Sequence, residues 1–138
     1  MNLVALMGYS AVRQDVLCPE AAEREASVDE TAQMQAIVRE GLPAGAYGVS
    51  FNHNPGHVAA DGRPIPCRLA NFQEVLAIAS VLRGSRARLL QISGNPNPEA
   101  PQGNARRVGD AAQHADLCIY PPFSAGAAEG GCGALLAG

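Results

Sequence analysis

The chain has 138 residues, of which 47% are hydrophobic, so it can bury the core of one domain or of a piece of a larger one. Its net charge of -3 gives no reason to expect a nucleic acid or an anionic membrane as partner. Every basic residue is an arginine, which excludes Schiff-base, P-loop and carbamylated-lysine chemistry. Because neither an apolar run of ~20 residues nor a secretory signal is found, we expect a cytoplasmic protein.

Three short apolar runs predict strands. Residues 3–7 form a nearly continuous apolar run, which is typical of a strand buried on both faces of a parallel sheet. Residues 46–51, rich in strand formers, predict a second strand, and residues 88–92 predict a third.

The residues between the first strand and the first well-defined helix have a mixed pattern. Tyr9, Ser10 and Arg13 follow the strand end, where a βα loop would hold them near a site. The alternative for these residues is a turn with a solvated arginine. The charged residues up to residue 26 indicate a solvated helical turn or loop.

Two helices are predicted from capping residues and apolar spacing. Ser27 and Glu30 have the form of a capping box before a helix predicted over residues 28–42. Asn71 repeats this pattern before a helix predicted over residues 72–83. The order β, α, β, α, β predicts an α/β fold of parallel βαβαβ units, either in a doubly wound sheet or as part of a (β/α)8 TIM barrel.

The composition changes after residue 93. A proline-rich stretch is followed by residues compatible with a helix over 105–115 and a strand over 117–120. Residues 121–138 are rich in glycine and alanine and poor in charge. We therefore divide the chain into residues 1–93, with the βα units, and a divergent Pro/Gly/Ala-rich tail, 94–138, which we expect to be partly disordered.

The candidate site follows the second predicted strand. A buried strand delivers functional groups at its carboxyl end, and the loop that follows is unusually long for a compact domain. The sequence nominates five residues there as substrate-facing: Asn52, His53, His57, Asp61 and Arg63.

The spacing of the two histidines in this loop does not favour a metal site. His53 and His57 are four residues apart, but Pro55 and Gly56 between them exclude a regular helix. Since no carboxylate or cysteine stands at matched spacing, polar or substrate-facing roles are favoured over metal binding. The cysteines also lack zinc-type spacing and are expected to be separate thiols: Cys18, Cys67, Cys118 and Cys132. No catalytic residue and no metal ligand is assigned.

Three segments carry a family resemblance. They are residues 2–13, residues 25–50, and residues 57–66 with the sequence Ala59-Ala60-Asp61-Gly62-Arg63-Pro64-Ile65-Pro66. In order and spacing they resemble the middle of an amidohydrolase-superfamily enzyme of the N-acyl-D-amino-acid deacylase (D-aminoacylase) branch. The resemblance covers roughly the first two thirds of the chain and is more specific than any single motif within it.

The resemblance implies a zinc-dependent amide hydrolase on a (β/α)8 barrel, in which metal-bound water attacks an N-acyl carbonyl. The family's His-x-His pair, its bridging cysteine, its later histidines and its aspartate cannot be placed in this sequence. Zinc is therefore expected in the intact family and not in this chain alone. Because a barrel needs ~250 residues, we expect an internal fragment of about three or four βα units that is inactive alone.

The resemblance implies a substrate class, and the residues leave an alternative structure and an alternative function open. The substrate of the intact enzyme would be an N-acyl-D-amino acid or a related non-peptide amide, whose carboxylate suits bidentate pairing with Arg63. The alternative for Asp61 and Gly62 is a tight turn that Arg63 caps. The alternative function is a non-catalytic βαβ module that binds a ligand or partner at its strand ends. Exposed sheet edges would favour self-association.

Overall fold

The computed structural model describes residues 3–86 and 89–93 and the backbone of residues 116–120. Within these residues, four strands form one parallel sheet in the order β1-β2-β3-β4, which confirms the predicted α/β class with parallel strands. The strands are β1 (Met7–Gly8), β2 (Gly48–Asn52), β3 (Leu89–Ser93) and β4 (Asp116–Tyr120). The α-helices are α1 (Tyr9–Leu17), α2 (Val28–Gly41) and α3 (Phe72–Leu82).

One face of the sheet is apolar and carries the core. Val49 pairs with Leu90 and Phe51 with Ile92 across β2 and β3, and all four are buried. These residues belong to one core cluster with the buried side chains of α1, α2 and α3. Because side chains alternate along a strand, these four side chains lie on one face of the sheet. The described helices pack against that face.

The opposite face of β2 and β3 is polar. Ser50 pairs with Gln91 and Asn52 with Ser93, and these four side chains are half-buried. A sheet with one apolar and one polar face usually has its polar face in contact with water, a ligand or further polar groups. Asn52 and Ser93 are the last residues of β2 and β3, so they lie together at the carboxyl end of the sheet.

The predicted capping of two helices is confirmed. Ser27 Oγ accepts a hydrogen bond from the Glu30 amide at 3.2 Å, and the Ser27 amide donates to Glu30 Oε2 at 2.8 Å. Helix α2 starts at the predicted residue, and so does α3, where Asn71 Oδ1 accepts from the Glu74 amide at 3.0 Å. Each helix ends one residue before its predicted end.

Helix α1 was not predicted. Residues 9–17 are helical, and a short 3-10 helix, Cys18–Ala22, follows them. Both interpretations of Arg13 are wrong, since the residue lies neither in a loop nor in solvent and is fully buried. The sequence of this helix shows no clear apolar periodicity, because two of its buried residues are Tyr9 and Arg13.

The strand boundaries differ at β1. A buried strand was predicted over residues 3–7, yet only Met7 and Gly8 pair with β2, and Leu3 is 87% exposed. The predicted burial of this run is wrong because, among the described residues, it lies at the edge of the sheet. The strand predicted over 117–120 is confirmed as β4, whereas the helix predicted over 105–115 lies outside the described residues.

None of the helices in the described part of the chain has the length and apolarity to cross a membrane.

Candidate functional site

The five nominated residues lie in three different environments around the carboxyl end of β2. Asn52 and His57 contact each other, His53 is buried, and Asp61 and Arg63 pair on the surface. The long loop that holds them is locally organised. It contains an antiparallel bridge between Val58 and Pro64 and a 3-10 helix, Pro66–Leu69.

Asn52 and His57 form a contact at the strand end. Asn52 Nδ2 lies 2.5 Å from His57 Nδ1, while Asn52 Oδ1 accepts a hydrogen bond from the Asn54 amide at 2.9 Å. The intervening turn is built as Asn, Pro and Gly residues favour, because Asn54 Oδ1 accepts from the Gly56 amide at 2.9 Å. The His57 amide donates to the Asn54 carbonyl at 3.0 Å. This turn returns the exposed His57 ring to the end of β2.

His53 points to the other face of the strand. Its amide donates to the Ser93 carbonyl at 2.6 Å, which extends the β2–β3 ladder, and its ring is only 4% exposed. The ring lies parallel to that of Phe51, and its Nε2 is 3.3 Å from the Ala70 carbonyl oxygen. Burial lowers the pKa of His53 below its usual value, so the ring is neutral at neutral pH. His53 is thus a core histidine, and the structure does not bring it together with His57.

Asp61 and Arg63 have the geometry of the tight-turn alternative. Asp61 Oδ1 accepts from the Arg63 amide at 3.1 Å, and Asp61 Oδ2 accepts from Arg63 Nε at 2.7 Å. Gly62 between them has a φ of 81°, which glycine adopts readily. The Arg63 guanidinium holds the pKa of Asp61 below its usual range and also lies 3.3 Å from Glu23. A substrate carboxylate would compete with these two side chains for Arg63.

Cys67 is a site neighbour that the sequence analysis did not identify. Its Sγ accepts a hydrogen bond from the Asn52 amide at 3.1 Å, and its own amide donates to Ser10 Oγ at 3.1 Å. Burial raises the pKa of the Cys67 thiol to about 12, so it remains protonated and unreactive at neutral pH. Cys67 therefore connects the end of β2 with the start of α1.

A buried ionic cluster of Tyr9, Arg13 and Glu74 lies next to Phe51 of β2, and the sequence did not indicate it. Arg13 Nη1 is 2.5 Å from both carboxylate oxygens of Glu74, and the Tyr9 hydroxyl donates to Glu74 Oε1 at 2.7 Å. The Tyr9 ring contacts the Phe51 ring, with centroids 4.2 Å apart and ring planes tilted by 34°, which links the cluster to β2. Desolvation raises the pKa of Tyr9 above its usual value, so the phenol stays neutral and donates. The partners are 61 to 65 residues apart in sequence, so no local spacing could reveal them.

The described side chains do not fit a zinc centre. Among them, no three His, Cys, Asp or Glu residues come together in a way that could hold a metal ion. The His53 ring is buried against a carbonyl group, and the Nδ1 of His57 is turned toward Asn52.

Comparison with known proteins gave no relative: no protein-family model, no curated protein and no solved structure matches the chain.

Proposed function

We propose that this chain supplies consecutive βα units of a (β/α)-barrel amidohydrolase of the N-acyl-D-amino-acid deacylase type, with the carboxyl ends of β2 and β3 facing the substrate. The observation that carries the proposal is the parallel strand order β1-β2-β3-β4. Right-handed crossovers between sequential neighbours place the described connecting helices on the same face of the sheet, as in a barrel. A doubly wound sheet instead reverses its strand order and has helices on both faces.

The two faces of the sheet support the barrel arrangement further. The described helices share one core with the apolar face, and the opposite face carries Ser50, Asn52, Gln91 and Ser93. In a barrel this second face is the interior, and its carboxyl end is where substrates bind. Asn52 and Ser93 lie at that end.

The described residues suit substrate binding rather than the chemical step. Amide hydrolysis at neutral pH requires an activated water molecule, and the described side chains offer no metal ligand set to activate one. The exposed His57 and its neighbour Asn52 offer hydrogen bonds at the strand end. We therefore assign substrate contact to Asn52 and His57, and a loop-stabilising role to Asp61 and Arg63.

The proposal is tested by nuclear magnetic resonance titration of the purified 138-residue chain with N-acetyl-D-methionine. We expect ligand-dependent shifts at Asn52, His57 and Ser93, and loss of these shifts in the His57→Ala variant. Gln33→Ala, an exposed change on α2, is the matched control and should bind like the unchanged chain. The same samples, with and without added zinc, should show no turnover.

Two outcomes would contradict the proposal. Zinc-dependent turnover that His57→Ala abolishes would identify a complete small enzyme. Absence of binding by a folded chain would favour the alternative of a non-catalytic βαβ module with a different ligand or partner.

A further inference from the structure

The side-chain amide of Asn52 is oriented by two contacts. Its oxygen accepts a hydrogen bond from the Asn54 backbone amide at 2.9 Å, and a backbone amide can only donate. Rotating the side chain by half a turn would place the Asn52 amino group against that donor. The amino group therefore faces His57, with Nδ2 2.5 Å from Nδ1.

This orientation determines the tautomer of the neutral His57 ring. Asn52 Nδ2 is a donor, so His57 Nδ1 must be the acceptor and cannot carry the proton. The proton of the neutral ring is then on Nε2. Because the His57 side chain is exposed, this N–H group is available to a ligand at the end of β2.

We propose that Asn52 is a positioning residue that holds His57 with its proton on Nε2, so that His57 donates a hydrogen bond to an acceptor oxygen of the ligand, a carboxylate or an amide carbonyl. The neighbouring contacts support a preformed arrangement. The backbone amide of Asn52 donates a hydrogen bond to Cys67 Sγ, and the side-chain oxygen of Asn54 accepts one from the Gly56 backbone amide. The ligand half of this inference rests on the proposed function, whereas the tautomer half rests on the hydrogen bonds alone.

The tautomer is read directly from the ring nitrogens of histidine. In the 138-residue chain labelled with ¹⁵N in histidine, at about pH 8, we expect His57 to show a proton on Nε2 and none on Nδ1. The discriminating variant is Asn52→Asp. An aspartate can keep the bond from the Asn54 amide, but it faces Nδ1 with an acceptor and should move the proton to Nδ1.

The matched control is Asn54→Asp, which introduces the same charge two residues away. Its side chain can still accept from the Gly56 amide, so the His57 tautomer should not change. His53, whose Nε2 faces the Ala70 carbonyl, provides an internal reference with its proton on Nε2 in all three proteins. A proton on Nδ1 in the unchanged chain, or an unchanged tautomer in Asn52→Asp, would overturn the proposal.

The ligand half is tested by affinity in the same proteins. Asn52→Asp should weaken binding of N-acetyl-D-methionine by about tenfold, and Asn54→Asp much less, since only the former removes the donor. Binding of the methyl ester distinguishes a carboxylate from an amide carbonyl as the accepting group. A tautomer change without loss of affinity would overturn the ligand half alone. Absence of binding in the unchanged chain would overturn the proposed function and leave the tautomer result standing.

Discussion

Glu74 is the residue at which the buried contacts of α1, α2 and α3 converge. Its carboxylate accepts from Arg13 and Tyr9 of α1, and the Tyr9 hydroxyl also lies 3.2 Å from the sulfur of Met34 in α2. Arg13 and Glu74 are almost fully buried, so each charge depends on the other for compensation. Arg13 Nη2 donates to the Arg24 carbonyl at 2.8 Å, which connects the cluster to the residues before α2.

At this scale we predict that Glu74→Gln lowers the free energy of unfolding by about 3–5 kcal/mol, because Arg13 would keep a buried charge without a counter-ion. Urea unfolding followed by circular dichroism measures the change. Glu20→Gln, which removes an exposed partner of Arg24, is the control and should leave stability nearly unchanged. Equal losses of unfolding free energy in the two variants would show that the buried Arg13–Glu74 pair stabilises the protein no more than an exposed pair does.

Strand β2 is the element around which the sheet is built. It pairs with β1 on one side and with β3 on the other, and its first residue, Gly48, is buried with a φ of 153°. A Cβ atom at this position would lie 1.9 Å from the Leu89 carbonyl oxygen. Backbone approaches this close leave room only for glycine.

We predict that Gly48→Ala destabilises the protein by about 2–6 kcal/mol, from an unfavourable backbone conformation together with a steric clash. Gly62→Ala is the matched control. Gly62 also has a positive φ, 81°, but nothing lies within 4 Å of its Cβ position, so only the conformational cost of about 1–2 kcal/mol applies. Thermal unfolding of both variants measures the difference, and a Gly62 variant as unstable as the Gly48 variant would contradict the role of Leu89.

At the scale of the whole molecule, the β1 side of the sheet is open among the described residues. Leu3 and Val4 precede β1 with 87% and 55% of their surface exposed, and Tyr47, whose amide bonds to the Ala5 carbonyl, is 48% exposed. Exposed apolar residues along a short edge strand favour pairing between copies.

We predict that the isolated chain self-associates as its concentration rises and that Val4→Lys reduces this association, since an edge lysine opposes strand pairing. Sedimentation velocity over a range of concentrations is the measurement. Val28→Lys removes another exposed valine, on α2, and should leave the association unchanged. A chain that remains monomeric at every concentration would show that this edge is protected.

The elements predicted from the sequence are those whose signals are local. The capping residues Ser27 and Asn71 bond to amides three residues away, so their helices start where the sequence indicates. The alternation in β2 also separates two histidines of one loop, since His53 continues the buried side of Phe51. That alternation is a local signal, because residues two apart along a strand lie on the same face.

Only the tertiary structure decided how the distant polar residues are used. Arg13 and Glu74 have ordinary surface residue types, and their pairing across 61 residues depends on how α1 and α3 pack against β2. The approach of Cys67 to the Asn52 amide likewise requires the loop to fold back over the strand end. Local sequence determined helices α2 and α3, strands β2 and β3 and the turn at Asn54. The buried ion pair and the approach of Cys67 to Asn52 followed from packing, because hydrogen bonds between distant residues form only after the chain has brought them together.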